Sequence, residues 1–209
     1  VAASAHLALA RIETEQRNRD TAHHLFELTK GILVAHGAAQ SNLWADVVIF
    51  QSWVAISSKS RELAAEYLPE LQQAVDLKSK LLGNKDSQTV LAKAFLAMNR
   101  ALVSRDYTAS VTELDLLLSE IQDAAINPFY KALVWDALAE AHQRHNNNEQ
   151  ATKCIDEALA IMRRAVGGRQ HPSLAMVYAD AAWIAHCRGD ELTFRTYQST
   201  AVEMRLQLI

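Results

Sequence analysis

Hydrophobic residues recur at helical spacing along most of the chain, and short polar or glycine-containing segments interrupt them at regular distances. The pattern is clearest over residues 132–162, where a polar turn at 146–148 separates two runs with an apolar residue every three or four positions. This spacing predicts two amphipathic helices joined by a tight turn. Only 6 glycines and 3 prolines interrupt 209 residues, so the helical prediction extends to the whole chain.

The same helix pair recurs along the chain. Equivalent positions in successive pairs are 45, 43, 41 and 43 residues apart, at Thr29, Ala74, Leu117, Ala158 and Ala201. We therefore predict five helix pairs, in repeat units over residues 1–37, 43–83, 87–124, 129–167 and 172–209. The last pair departs from the pattern in its second helix, because Phe194 and Gln198 stand where a small and a bulky residue recur.

Large and small side chains follow a fixed order within each pair. Small residues such as Ala139 and Ala158 allow two helices to approach closely, and large residues such as Trp135 fill the space beside them. On these grounds we expect Trp135 in the core and Trp53 packed between helices. We expect Trp44, at the start of a helix, to be partly exposed.

The order of residues in the 132–162 unit resembles the tetratricopeptide repeat (TPR), with His142 where Tyr is usual. A long second helix that ends in glycine, at Gly83 and Gly167, and a restart at His171-Pro172 resemble the long-period, kinesin-light-chain-like class of these repeats. The resemblance covers nearly the whole chain. It implies an all-α fold, an α-α superhelix (TPR-like solenoid) of about five antiparallel helix pairs in a single domain.

The resemblance also implies a binding surface on the first helix of each pair, which lines the concave side of such arrays. Transferring the family's groove positions to this sequence gives Leu7, Arg11, Ser52, Ile56, Lys59, Phe95, Asn99, Leu102, Asp136, Glu140, Gln143, Ala179, Trp183 and His186. Basic residues lie towards the start of this set, and acidic residues and Trp183 towards its end. We expect an extended or helical peptide, with Phe95 and Trp183 as anchors. The alternative is a surface that is merely solvated or that docks a neighbouring domain of the same chain.

Charge and hydropathy exclude two classes of partner. The formal net charge is -3, the pI is about 6.3 and the basic residues are scattered, so we expect no direct contact with nucleic acid or anionic lipid. The longest apolar run, Trp44–Trp53, is interrupted by Asp46 and Gln51 and is too short to cross a bilayer. We therefore expect no membrane contact and a cytoplasmic location.

Candidate chemistry is sparse. The sequence contains no glycine-rich phosphate loop, nucleophile elbow or zinc-helix motif, so we expect no catalysis and no cofactor. His142, His145, His186 and Cys187 could converge on a metal, but solvated or helix-capping histidines are the preferred interpretation. The two cysteines, Cys154 and Cys187, are expected to be reduced thiols; a single bridge between adjacent helices is the alternative.

These features together predict a non-enzymatic scaffold that binds a protein or peptide, or a ligand-sensing module of a larger regulatory or signalling protein. We expect the chain to be a piece of a longer protein, because residues 1–10 already have the pattern of a helix interior and no initiator Met or signal peptide precedes them. Similar long-period arrays often follow a kinase, a DNA-binding domain or an ATPase. The alternative function is self-association into a homodimer, through the first helix or the irregular last pair.

Overall fold

The computed structural model describes residues 2–15, 18–122 and 124–207, and these form ten α-helices without a strand. In chain order the helices are α1 (Ala2–Glu15), α2 (Arg19–Ala35), α3 (Asn42–Ser58), α4 (Arg61–Leu82), α5 (Ser87–Ser104), α6 (Tyr107–Glu120), α7 (Pro128–Arg144), α8 (Asn148–Ala165), α9 (Pro172–Cys187) and α10 (Glu191–Leu206). The all-α prediction is confirmed, with two helices in each of the five predicted repeat units. None of the described helices is both long and apolar enough to span a membrane.

The helices group into two compact units. Unit 1 covers residues 1–106 and contains α1 to α5; unit 2 covers residues 107–209 and contains α6 to α10. The two helices of the third repeat, α5 and α6, therefore belong to different units. Antiparallel pairs α1/α2 and α3/α4 pack within unit 1, and α7/α8 and α9/α10 within unit 2.

The repeat register found in the sequence identifies three positions of each second helix as core positions. In the first four pairs all twelve of these positions are buried; they are Ala22, Phe26, Thr29, Tyr67, Leu71, Ala74, Ser110, Leu114, Leu117, Ala151, Ile155 and Ala158. In the fifth pair only Ala201 is buried, while Phe194 is half-buried and Gln198 is exposed. The last helix thus departs from the repeat as predicted: Phe194 and Gln198 stand where a small and a bulky residue recur, and neither is buried.

Polar side chains fix where several helices begin. Ser41 Oγ accepts a hydrogen bond from the Trp44 amide at 3.1 Å, at the start of α3. The Asn127 side chain accepts one from the Phe129 amide at 2.9 Å, and Pro128 occupies the first turn of α7. These contacts satisfy amides that have no partner inside the helix, so the sequence sets these boundaries locally.

A single residue with positive φ closes four of the turns between paired helices. These residues are Lys59 (φ 58°), Arg105 (φ 61°), Asn146 (φ 60°) and Gly189 (φ 79°). The left-handed conformation reverses the chain in two or three residues, and within the two units α4 folds back against α3, α8 against α7 and α10 against α9. The turn predicted at 17–20, between α1 and α2, lies partly outside the described residues.

Helix α3 is the centre of unit 1. It packs against α1, α2, α4 and α5, and its residues from Val47 to Ile56 are buried on every side. A helix that is hydrophobic all round is stable only when neighbours surround it. Trp44 is only 8% exposed, so the prediction of partial exposure is wrong: the neighbouring helices extend over the first turn of α3.

A buried lysine joins three helices of unit 1. Lys78, in α4, is completely buried, and its Nζ donates hydrogen bonds to Asn42 Oδ1 (2.8 Å), Asp46 Oδ1 (2.6 Å) and Gln88 Oε1 (2.5 Å). Asn42 and Asp46 lie in α3 and Gln88 in α5, so all three ammonium protons have acceptors on adjacent helices. A buried charge is tolerated only when it is paired and hydrogen-bonded in this way.

We expect Lys78→Met to destabilise the fold by about 3 kcal/mol, because it leaves the Asp46 carboxylate and two amide oxygens without their donor. The measurement is the free energy of unfolding from urea denaturation. Lys80→Met, which removes an exposed lysine from the same helix, is the matched control and should cost less than about 1 kcal/mol. Equal stability of the two variants would contradict a structural role for the Lys78 contacts.

Candidate binding surface

Most of the groove residues predicted in unit 1 are buried. Leu7, Ser52, Ile56, Phe95, Asn99 and Leu102 each expose 7% or less of their surface. Phe95 packs against Trp53 with ring centroids 5.9 Å apart, so it belongs to the contact between α3 and α5. The prediction that Phe95 is an exposed anchor is therefore wrong, because the two first helices pack directly against each other at this position.

The polar members of the buried group are bonded to their own backbone. Ser52 Oγ donates to the Ile49 carbonyl at 2.7 Å, and Asn99 Nδ2 donates to the Phe95 carbonyl at 2.8 Å. These bonds satisfy donors that would otherwise lose free energy on burial. Ser52 and Asn99 are thus part of the α3–α5 contact and present no donor at the surface.

Two predicted groove residues of unit 1 remain accessible. Arg11 is half-buried, with its guanidinium carbon 4.0 Å from the centre of the Phe50 ring, a cation–π contact between α1 and α3. Lys59 is exposed at the turn that ends α3. The basic part of the predicted surface therefore consists of one arginine held against a ring and one lysine on a turn.

In unit 2 the predicted residues lie together on neighbouring first helices. Gln143 Nε2 of α7 is 3.3 Å from Cys187 Sγ of α9, and Asp136 of α7 interacts electrostatically with Asp180 of α9. Both contacts join residues 44 positions apart, so α7 and α9 run side by side in the same direction. We call the surface formed by Asp136, Glu140, Asp180, Trp183 and His186 the α7–α9 face; Ala179 and Gln143, both half-buried, flank it.

Three carboxyl groups make this face acidic. Burial raises the pKa of Asp136 well above its ordinary value, and the nearby charges of Asp180 and Glu140 raise it further. Asp136 Oδ1 is buried without a hydrogen-bond partner among the described residues. Glu140 already pairs with Arg144, whose Nη2 is 2.8 Å from its Oε1. The Asp136 carboxyl therefore lies near two other acids, and its Oδ1 receives no hydrogen bond from the described residues.

Aromatic rings continue the α7–α9 face beyond the carboxyl groups. Trp183 is 46% exposed, and its ring centroid lies 5.5 Å from that of His186. His186 is exposed, and its ring centroid lies 5.1 Å from that of Phe194 in α10. This row supplies a broad apolar contact next to a negatively charged group, a combination that suits a partner carrying both a cation and an apolar side chain.

The other residues considered for chemistry are not assembled into a reactive site. Within the described residues, no three His, Cys, Asp or Glu side chains are arranged to hold a metal ion. Burial lowers the pKa of His142. Both cysteines are free thiols, and burial, with the negative charges of Asp115 and Glu157, raises the pKa of Cys154 to about 11, so its reactive thiolate is disfavoured.

Sequence reasoning missed one concave site. Trp135, predicted to be in the core, is only half-buried and lines a cavity of about 560 Å³ in unit 2. The repeat pattern placed Trp135 on the correct helix but carried no signal of the cavity beside it, which is lined by residues of α7, α8 and the link before α7.

Comparison with known proteins identifies the fold through solved structures. No protein-family model matches the chain, and no curated protein matches it. A putative kinesin light chain from Podosopora anserina with nearly identical TPR-like repeats is 16% identical over 98% of this chain and 95% of that chain, with a TM-score of 0.52. A point variant of that protein is 15% identical over the same shares, with a TM-score of 0.55. BtubC (BKLC) from P. vanneervenii is 16% identical over 99% of this chain and 89% of that chain, with a TM-score of 0.59.

These similarities extend over almost the whole chain although few residues are identical, as expected when helix packing positions alone define a fold. Solenoid repeat proteins present extended surfaces that are used for binding. The helix pairs, their register and the matched structures together show that the chain has the all-α superhelical fold of the TPR-like repeat proteins.

Proposed function

We propose that this protein is a non-enzymatic scaffold whose α7–α9 face binds a protein segment that carries a basic side chain next to an apolar one. The observation that carries the proposal is the Asp136 carboxyl, whose Oδ1 has no hydrogen-bond partner among the described residues and which lies near the carboxyl groups of Asp180 and Glu140. The exposed Trp183 follows Asp180 by three residues, one turn along α9. A Lys or Arg side chain brought to Asp136 would offset the repulsion among the three carboxyl groups. An apolar side chain one or two positions away would cover Trp183.

The sequence predicted a binding surface on the first helices of all pairs, and the proposal restricts that surface to the first helices of unit 2. In unit 1 the first-helix positions are occupied by core packing, so they offer little area to a partner. In unit 2 the corresponding positions of α7 and α9 are half-buried or exposed. A neighbouring domain of the same chain could bind the same acidic and aromatic side chains as a separate protein. A regulatory, signalling or ligand-sensing role in the cytoplasm is compatible with either partner.

Self-association is a second candidate function, favoured by the apolar side chains of α10. Leu192, Val202 and Leu206 are 79%, 47% and 67% exposed and lie on one side of the helix. Two copies that packed these residues together would remove them from water. Sedimentation velocity distinguishes this function: a homodimer that Leu192→Gln with Leu206→Gln converts to monomer supports it, and a monomer at high concentration rejects it.

A peptide array that varies the number and spacing of Lys, Arg and apolar residues tests the leading function. We expect the retained peptides to pair a basic residue with an apolar one, and Trp183→Ala to weaken their binding by about 2 kcal/mol, roughly 30-fold, because the ring is the largest apolar contact on the face. Leu192→Ala removes a more exposed side chain outside the face and should leave affinity unchanged. Selection of acidic peptides, or unchanged affinity in Trp183→Ala, would reject the proposed surface.

The raised pKa of Asp136 predicts that peptide binding depends on pH. A cationic ligand favours the ionised carboxylate, so affinity should fall as pH is lowered through the raised pKa of Asp136. Asp136→Asn should bind basic peptides more weakly and should lose this part of the pH dependence. Fluorescence polarisation over a pH series measures the peptide affinity of both proteins. An identical pH profile for the variant and the natural chain would contradict the role of Asp136.

The same pKa shift predicts a change in stability with pH. The folded pKa of Asp136 lies above the ordinary value of 3.8, so its full contribution to stability is present below that value and is lost as pH rises through the raised pKa. Asp136→Asn should remove this loss. The melting temperature of the variant minus that of the natural chain should therefore be larger at about pH 7 than at about pH 3. Asp76→Asn, at an exposed position, is the matched control and should show no such difference.

A further inference from the structure

The cavity beside Trp135 is separate from the α7–α9 face and combines an apolar wall with charged side chains. Its volume is about 560 Å³, within the range of small-molecule sites in proteins. It is lined by Ile126, Pro128, Lys131, Trp135, Glu157, Ile161, Arg164 and Ala165. All of these residues belong to unit 2, on α7, α8 and the link before α7.

Helix periodicity explains why these side chains meet. Lys131 and Trp135 are four residues apart, so they lie one turn from each other on the same side of α7. On α8, Glu157, Ile161 and Arg164 follow at intervals of four and three residues and form one stripe. The packed pair α7/α8 brings the two stripes to opposite walls of one cavity.

The cationic side chains of Lys131 and Arg164 at the cavity are not used in contacts within the fold. Neither the Lys131 ammonium nor the Arg164 guanidinium forms a hydrogen bond or ion pair among the described residues, and Arg164 is exposed. Lys131 lies in the fourth position of α7, near the end of the helix where the backbone dipole favours negative charge. The lining therefore holds two cationic side chains, Lys131 and Arg164, and one carboxylate, Glu157, so the net charge of the cavity wall is positive.

The Trp135 indole is the second feature that suggests a ligand, because the protein covers only part of its ring. Tryptophan gains most from burial when both faces of the ring are covered, and here one part of it faces the cavity. Ile126 and Ile161 extend this apolar wall. A flat apolar group would complete the packing of Trp135, and an acidic group attached to it would meet Lys131 and Arg164.

We propose that this cavity is a binding site for a small aromatic carboxylate. The ring of the ligand stacks on Trp135 against the isoleucines, and its carboxylate accepts charge-assisted hydrogen bonds from Lys131 and Arg164. Glu157 disfavours a second negative charge on the ligand, so the site selects monoanions. The site does not require the peptide-binding face and can be tested independently of it.

The test is a ligand-detected NMR titration of the whole chain with indole-3-propionate and with tryptamine, which has a similar ring and the opposite charge. We expect saturable binding of indole-3-propionate and at least about fivefold weaker binding of tryptamine. Lys131→Gln combined with Arg164→Gln should weaken indole-3-propionate about tenfold or more. Trp135→Leu, checked for helix content by circular dichroism, should weaken it to a similar extent.

A matched double variant separates the cavity from the overall charge of the protein. Lys153→Gln combined with Arg195→Gln also removes two cations from unit 2, at exposed positions paired with Glu149 and Glu191. We expect this variant to bind indole-3-propionate as the natural chain does. The proposal is overturned if indole-3-propionate does not saturate below about 10 mM, if tryptamine binds equally well, or if the two double variants lose affinity equally.

Discussion

The close crossing of paired helices is the constraint on which the rest of the structure depends. Two helices approach most closely where the side chains between them are small, and alanine, serine or threonine occupies six of the eight crossing positions in the first four second helices, Tyr67 and Leu117 being the exceptions. A bulkier residue at such a position would separate the pair at a cost of about 1–3 kcal/mol. Because few positions carry this constraint, most of the sequence can differ, which explains how structures only 15% or 16% identical share the fold.

Most of the fold could be predicted from the sequence because its determinants are local. The asparagine before Pro128, the glycine after α8 and the polar turn near Asn146 each fix a helix end within a few residues. The repeat register then follows from the spacing of small and large residues. Lys78 could not be predicted as a core residue, because the acceptors that make its burial possible come from helices 32, 36 and 10 residues away in the chain.

The candidate site was predictable only in part. Transferring groove positions from a family assumes that neighbouring first helices leave their facing side chains open, and in unit 1 the contact of Phe95 with Trp53 closes that space. The long apolar run of α3 carried a signal of this, since a helix without a polar side needs neighbours all round. In unit 2 the polar side chains of α7 and α9 keep the corresponding positions open, and α7 presents two chemistries: acids towards α9, and Lys131 with Trp135 towards α8.

The left-handed residues at the turns determine where the chain tolerates a change of length. Each extra residue in a turn between paired helices would rotate the second helix by about 100° and carry its alanines away from the crossing. The links between pairs are under no such restriction, and their lengths already differ: six residues separate α2 from α3, and four separate α4 from α5. The links should therefore tolerate insertions and deletions better than the turns do. A foreign segment, such as a tag or a fluorescent domain, has its best place there.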